Sequence, residues 1–210
     1  MGYSAFDKMP PKFSDFIIGH VAGLVAEKTE QNIWEGVNAN AGEFDGLVTL
    51  ALADADVVDV ASHAAVTAAN VIDKLGSIVD AVPSALYNKE DLAIYCSQNI
   101  ARSYVRALGG FATSIGSNGV NAQGTQWYNA GGQLSFDGVK IFVANGLADD
   151  TAMAAQKSNL YFGTGLLNDM NEVKVLDMSD LDGSQNVRVI MRYTSAVNYG
   201  IGSDVVLYHA

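Results

Sequence analysis

The chain contains very little cysteine, histidine or proline, and this scarcity excludes several kinds of protein. Of its 210 residues only Cys96 is a cysteine, so an internal disulfide and a structural zinc site are both excluded. The three histidines, His20, His63 and His209, stand at no spacing that is typical of metal ligands. Cys96 lies in the apolar run 92–96, where we expect a buried and unreactive thiol.

Long apolar runs and basic residues are also scarce. No stretch approaches the roughly 20 apolar residues that a membrane span needs, and the first residues contain no signal-peptide core. Twelve basic residues stand against 23 acidic ones, which gives a net charge of -11. An acidic surface repels phosphate backbones, so we do not expect a dedicated nucleic-acid-binding protein, and the charge suits a protein that meets nucleic acid without adhering to it.

The usual catalytic and cofactor motifs are missing. The glycines at 163–165 lack the third glycine of a dinucleotide-binding motif. The glycine-rich stretch 109–119 is not followed by the Gly-Lys-Ser/Thr of a phosphate loop. A calcium loop around Asp180, Asp182 and Gly183 fails at its first and last positions. The remaining acidic clusters are interpreted as a solvated face: Asp54, Asp56, Asp59, Asp149 and Asp150. We therefore predict a protein that is not an enzyme and has no catalytic, metal or cofactor-binding residues.

Helical patterns occupy the first half of the chain. Residues 13–34 carry apolar side chains three and four positions apart, which predicts a long amphipathic helix that Gly36 ends. Leu24 falls on its apolar side, so Leu24→Asp is expected to cost several kcal/mol. A second helix is predicted between Thr67 and Pro83, and a third is predicted from Ser97 to Gly109.

Strand patterns gather in the second half, which predicts an α+β fold. Short strands are expected at 47–50, 92–96, 139–143, 160–162 and 205–208, and a β-hairpin at 172–178 and 186–193. Residues 111–132 are rich in Gly, Asn, Ser and Gln, and this predicts a long surface loop.

This order of elements resembles the major capsid proteins of tailed bacteriophages, the Hong Kong ninety-seven type of fold that encapsulin shells share. Residues 13–34 resemble the family's long spine helix, and 92–99 resemble its strand-then-helix step. Residues 136–143 and 159–164 resemble later strands of the fold, and 205–210 resemble its last strand. The resemblance covers nearly the whole chain but depends on weak motifs. Family members carry an arm and an extended loop before the spine helix, so we expect a truncated subunit or a degenerate prophage product that does not close into shells by itself.

The resemblance implies a virion capsid protein that is made in the bacterial host cytoplasm. It implies a peripheral-type domain at 1–45 and 151–195, and an axial-type domain at 46–150 and 196–210. The partners would be copies of the chain in pentamers and hexamers, with double-stranded DNA enclosed non-specifically and no membrane contact. The expected assembly contacts are Lys12, Glu27, Glu30, Gln31, Asn118, Asn121, Gln123, Trp127, Tyr128, Asp180 and Asp182. The alternatives that stay open are another phage structural or adaptor protein, an encapsulin-like shell protein, and a small soluble enzyme with a carboxylate-based site.

Overall fold

A computed structural model describes residues 13–60, 64–87, 89–109, 134–165, 173–178, 183, 186–191 and 193–210. The helices in this part of the chain are α1 (Phe13–Glu35), α2 (Leu47–Ala53), α3 (Val71–Ala81) and α4 (Gln98–Gly109). The strands are β1 (Val58–Asp59), β2 (Leu92–Cys96), β3 (Ser135–Phe136), β4 (Val139–Val143), β5 (Ala152–Gln156), β6 (Leu160–Thr164), β7 (Val173–Asp177), β8 (Val187–Met191), β9 (Ser195–Tyr199) and β10 (Val206–Tyr208). The fold is therefore α+β, as predicted.

The chain divides into two compact units. One comprises residues 1–30 and 163–195, and the other comprises residues 31–162 and 196–210. Each unit is built from two separate pieces of the chain, with bounds that differ from those of the predicted domains. Their assignment as peripheral and axial domains stays a prediction.

The unit of 31–162 and 196–210 is organised around a six-stranded mixed sheet with the order β1-β10-β5-β2-β4-β3. β2 runs parallel to β4 and antiparallel to β5, and β10 runs antiparallel to β5 and parallel to β1. A tight turn at Asp137 and Gly138, both with positive φ, joins β3 to β4. Asp-Gly is favoured at such a two-residue turn, because both of its central residues adopt a positive φ.

Helices α3 and α4 cover one face of this sheet. Their apolar residues, among them Leu75, Ile78 and Ile100, join one buried cluster with Ile94, Cys96, Val139, Ile141, Ala152, Ala154, Val206 and Tyr208 from the strands. The strand residues in this cluster alternate along each strand, as the period of two requires. Tyr208 is fully buried, and its hydroxyl donates a hydrogen bond to the backbone oxygen of Ala64.

A second buried cluster lies on the opposite face of the sheet. It contains Trp34 near the end of α1, the buried side of α2, and Met153, Ala155, Val205 and Leu207 from the central strands. Because both faces of β5 are covered, all five of its residues are buried. Small side chains suit such a strand, and this explains why the run Ala-Met-Ala-Ala-Gln was not recognised as a strand in the sequence.

In the other unit, β7 and β8 form the predicted antiparallel hairpin, with Val173 opposite Met191 and Asp177 opposite Val187. Gly183 has a positive φ of 71°, which a glycine adopts without strain. The hydroxyl groups of Thr29 on α1 and Tyr193 lie 2.6 Å apart and share a hydrogen bond.

The structure confirms most of the predicted elements and corrects one of them. The helices at α1, α3 and α4 and the strands at β2, β4, β6 and β10 lie where they were expected. Residues 47–50 were predicted as a strand, but they begin the helix α2. Leu47, Val48 and Ala51 are its buried residues, and this three- to four-residue spacing is helical. The predicted loop at 111–132 lies outside the described residues.

Candidate assembly surfaces

One side of α1 exposes apolar side chains to solvent. Phe16 is 70% exposed and Leu24 is 53% exposed, although both are large and hydrophobic. The ring of Phe16 stacks on that of His20, with 6.4 Å between the centroids. Phe16, His20 and Leu24 are four residues apart, so they line one face of the helix. Residues at this spacing form a continuous ridge, which we call the α1 ridge.

The half-buried side of α1 carries Val21, Val25 and Thr29. The Thr29 hydroxyl lies 2.7 Å from the backbone oxygen of Val25 and also contacts Tyr193. The apolar pattern of the sequence placed Phe16, His20, Val21, Leu24 and Val25 on one side of the helix. In the structure Phe16 and His20 are exposed, as Leu24 is, so this prediction is wrong for all three. The inward side of the helix is narrower than the apolar pattern and leaves these three residues outside it.

Of the assembly contacts predicted from the sequence, three lie in the described part of the chain. Glu27 and Gln31 are exposed and continue the α1 ridge beyond Leu24, and Glu30 is half-buried. The other predicted contacts lie outside the described residues: Lys12, Asn118, Asn121, Gln123, Trp127, Tyr128, Asp180 and Asp182.

A half-open groove of about 520 Å³ lies on the mixed sheet. Its floor comes from β2 and β4, on the face opposite α3 and α4. The lining residues are Glu90, Asp91, Leu92, Ala93, Tyr95, Lys140, Phe142 and Lys157. The side chains that cover the same face elsewhere, from α2 and Trp34, belong to the cluster around β5 and β10. The groove is therefore the part of this face that the described residues leave open.

Three aromatic rings connect this groove to the core. Trp34 is buried, and its ring centroid lies 5.3 Å from that of Tyr95. Tyr95 in turn stacks on Phe142 at 5.9 Å, and Phe142 is 43% exposed. Burial and the negative charge of Asp91 raise the pKa of Tyr95, so its hydroxyl stays neutral. The rings form a firm apolar floor, because packed neighbours fix their positions.

Charged groups surround the groove on both sides. Lys140 and Lys157 are exposed, and Glu90 and Asp91 lie at the start of β2. Asp91 already accepts hydrogen bonds from Gln156 Nε2, at 2.9 Å, and from the hydroxyl of Ser158. The hydrogen bond from Ser158 lowers the pKa of Asp91 most, and the one from Gln156 lowers it further. The carboxylate therefore stays ionised, accepts hydrogen bonds and is a poor proton donor.

The sequence analysis missed this groove. A signal was present in β4, where Val139 and Ile141 alternate with Lys140 and Phe142. Phe142 lies two residues after Lys140, so the alternation along a strand places both side chains on the same, exposed face of the sheet. An aromatic residue on the polar side of a strand marks an exposed apolar surface.

Asp150 and Asp54, which were interpreted as solvated, accept hydrogen bonds within the chain. Asp150 Oδ1 accepts hydrogen bonds from the backbone N–H of Val66, at 2.8 Å, and from Asn99 Nδ2, at 2.6 Å. The hydroxyl of Tyr199 donates one to Asp54 Oδ2 at 2.9 Å. These bonds correct the interpretation of both residues as a purely solvated face.

The lone cysteine is buried, as predicted, and burial raises the pKa of the Cys96 thiol to about 12. Among the residues that the structure describes, no three acidic, histidine or cysteine side chains are grouped as metal ligands. No helix in the described ranges is long and apolar enough to cross a lipid bilayer.

Comparison with solved structures finds similar folds in virus-like shells. A structure from Mycobacterium phage Che8 matches with a TM-score of 0.52 and 17% identity, over 72% of this chain and 53% of that chain. The virus-like particle from Pyrococcus furiosus matches with a TM-score of 0.50 and 8% identity, over 88% and 63% of the two chains. The satellite phage P4 procapsid, whose structure includes the size determination protein, matches with a TM-score of 0.52 and 9% identity, over 94% and 67%.

These likenesses show a fold of the phage major capsid protein type, as the resemblance in the sequence implied. The chain spans about half of the Che8 chain and 63% of the Pyrococcus chain. Neither a comparison with protein families nor one with curated proteins finds a match.

Proposed function

We propose that the chain is a structural subunit that assembles with copies of itself into a viral shell. The observation that carries this proposal is the similarity of its fold to chains from a phage, a procapsid and a virus-like particle. The exposed α1 ridge and the open groove on the sheet support it, because apolar surfaces that stay exposed in one chain commonly mark protein–protein contacts.

In detail, α1 serves as the spine helix of a Hong Kong ninety-seven type subunit. The unit of 31–162 and 196–210 serves as the axial domain, and the other unit serves as the peripheral domain. Copies associate into pentamers and hexamers, which tile a closed shell around double-stranded DNA. The net charge of -11 supports enclosure without adhesion, because the shell lining and the phosphates repel each other.

In this role the chain performs no catalysis, and its energy of assembly is spread over many contacts. The proposed contacts are the ones that the sequence indicated, with Glu27 and Gln31 on the α1 ridge as the exposed examples in the described part of the chain. Location in the virion capsid follows from this role, after synthesis in the bacterial host.

A second candidate function is a shell that is not part of a phage. The match to the virus-like particle from Pyrococcus furiosus favours it specifically. The two candidates share the same subunit chemistry and differ in what is enclosed. Recovery of DNA from particles purified from the native source favours the phage capsid, whereas recovery of protein cargo without DNA favours the alternative.

Sedimentation velocity over a wide range of protein concentration tests self-assembly directly. We expect association that increases with concentration and favours ring-sized species. A chain that stays monomeric at every concentration contradicts the proposal. If the monomer also converts a substrate bound in the groove into product, the enzyme alternative replaces it.

A further inference from the structure

We propose that the groove formed by β2 and β4 is the docking site for the α1 ridge of a second copy of this chain. The inference deepens the proposed function, and it rests on that function because it names the partner and the two surfaces that meet. In the resulting contact, Phe16 and Leu24 of one copy pack on Tyr95 and Phe142 of the next.

The shapes of the two surfaces suit each other. The α1 ridge presents Phe16, His20 and Leu24 over eight residues, which is about 12 Å of helix. A helix that presents anchors at this spacing is a common ligand of an apolar groove. The groove of about 520 Å³ is large enough for more than one such anchor, and its aromatic floor is already packed against Trp34.

Charge explains why a second copy can approach at this place. Two chains that each carry a net charge of -11 repel each other over most of their surfaces. In the groove, Lys140 and Lys157 balance Glu90 and Asp91, and Asp91 is already bonded to Gln156 and Ser158. The groove is thus locally neutral, with both lysines at its rim.

The α1 ridge supplies the matching charge. Glu27 is exposed and lies one turn beyond Leu24, so it approaches the rim of the groove when Leu24 enters it. Lys28 and Glu30, which follow Glu27 on the helix, each have an interaction within their own chain. We therefore assign Glu27 as the residue that pairs with Lys140 or Lys157 of the next copy.

The contact joins two different surfaces, so it is heterologous. Each copy offers one ridge and one groove, and repeated head-to-tail contacts close into a ring when the rotation between copies permits it. Pentamers and hexamers are rings of this kind. This contact therefore supplies one head-to-tail interface of such a ring, alongside the other contacts over which the energy of assembly is spread.

A charge-exchange experiment tests the assignment. Lys140→Glu with Lys157→Glu places like charges opposite Glu27, and we expect the dissociation constant for self-association to rise by about tenfold or more. Adding Glu27→Lys to the same chain restores opposite charges and should recover most of the affinity. The matched control is Arg102→Glu with Arg106→Glu, which makes the same change in net charge on exposed positions of α4.

Sedimentation velocity measures association, and circular dichroism checks that each variant is folded. The inference is overturned if the groove variant associates as well as the control, or if Glu27→Lys gives no recovery. In both cases the unmodified chain still associates, so the proposed function stands. An unmodified chain that never associates counts against the proposed function itself and removes the inference with it.

Disulfide trapping locates the contact independently of charge. A Leu24→Cys chain is mixed with a Phe142→Cys chain under a mild oxidant, and the native Cys96 does not compete because it is buried. We expect the mixed dimer to form many times faster than with an Ile201→Cys partner, whose cysteine replaces a side chain that is 55% exposed and outside the groove. Equal rates for the two partners contradict the docking of α1 in the groove.

Discussion

Asn99 and Asp150 are joined by two hydrogen bonds that run in opposite directions. Asn99 Nδ2 donates to Asp150 Oδ1 at 2.6 Å, and the backbone N–H of Asp150 donates to Asn99 Oδ1 at 3.0 Å. Asp150 Oδ1 also accepts the backbone N–H of Val66. The carboxylate of Asp150 therefore holds three segments together: the first turn of α4, the loop before β5 and the segment before α3.

Asp150→Ala should lower the free energy of unfolding by about 1–3 kcal/mol, because two donors lose their acceptor. Asp150 also has a positive φ of 62°, which alanine adopts less readily than aspartate or asparagine. Asp150→Asn is the matched control, since it retains Oδ1 and tolerates this backbone conformation. Urea unfolding followed by tryptophan fluorescence measures both variants. Equal losses for the two would show that the carboxylate does not hold these segments together.

Tyr199→Phe tests the hydrogen bond from Tyr199 to Asp54. We expect a loss of about 0.5–1.5 kcal/mol at neutral pH. Burial, then the bond to Asp54, raises the pKa of Tyr199 from 10.0 to about 12. A raised pKa means that the stabilisation is complete below pH 10.0 and is lost as the pH rises through about 12.

The difference in unfolding free energy between the unmodified chain and Tyr199→Phe should therefore shrink only in this alkaline window. Tyr161→Phe serves as the control, because Tyr161 is 59% exposed. A difference that disappears well below pH 10 would rule out the bond as its source.

Leu24→Asp should change the free energy of unfolding by about 1 kcal/mol at most, because Leu24 is 53% exposed. The apolar pattern of the sequence alone predicted a loss of several kcal/mol. Leu75→Ala is the comparison, since Leu75 on α3 is 1% exposed and its truncation should cost about 2–5 kcal/mol. Thermal unfolding of both variants shows whether Leu24 contributes to the free energy of unfolding as an exposed residue or as a buried one. If Leu24→Asp is insoluble, the side chain of Leu24 is buried in the core and its assignment to the exposed side of α1 is wrong.

The contrast between these two leucines shows how far the sequence predicts the fold. In α3 the apolar spacing of the sequence places six residues on one side, and all of them are buried except Ile72, which is 47% exposed: Val71, Ile72, Leu75, Ile78, Val79 and Val82. In α1 the same kind of spacing predicted the helix but placed Leu24 on the wrong side. A helical period fixes which residues share a face, but contacts made by distant parts of the chain decide which face is buried.

The missed elements have a similar physical cause. The run 47–53 and the run 152–156 both consist largely of small or apolar residues, with little periodicity to separate helix from strand. The first became α2 and the second became the central strand β5. The groove was missed because it needs β2 and β4 to lie side by side, a long-range pairing that no local pattern contains.

The junction between α1 and α2 requires glycine at position 36. A Cβ there would contact the backbone oxygen of Phe44 and lie 2.7 Å from that of Asn32. The Gly36 oxygen also accepts hydrogen bonds from Gly46 N–H and the Thr49 hydroxyl, at 2.9 and 2.8 Å, so the backbone has little freedom to move away.

Gly36→Ala should therefore cost about 1–3 kcal/mol, the range of overpacked sites. Gly76→Ala is the matched control, because Gly76 lies within α3 and a Cβ there would have no other atom within 4 Å. Alanine is a better helix former, so Gly76→Ala should raise the free energy of unfolding by about 0.5–1 kcal/mol. The two glycine substitutions thus have opposite expected signs in the same urea titration. If Gly36→Ala also stabilises the chain, the close approach of the 32–36 and 44–46 backbones is wrong, and with it the placement of Trp34 behind the aromatic floor of the groove.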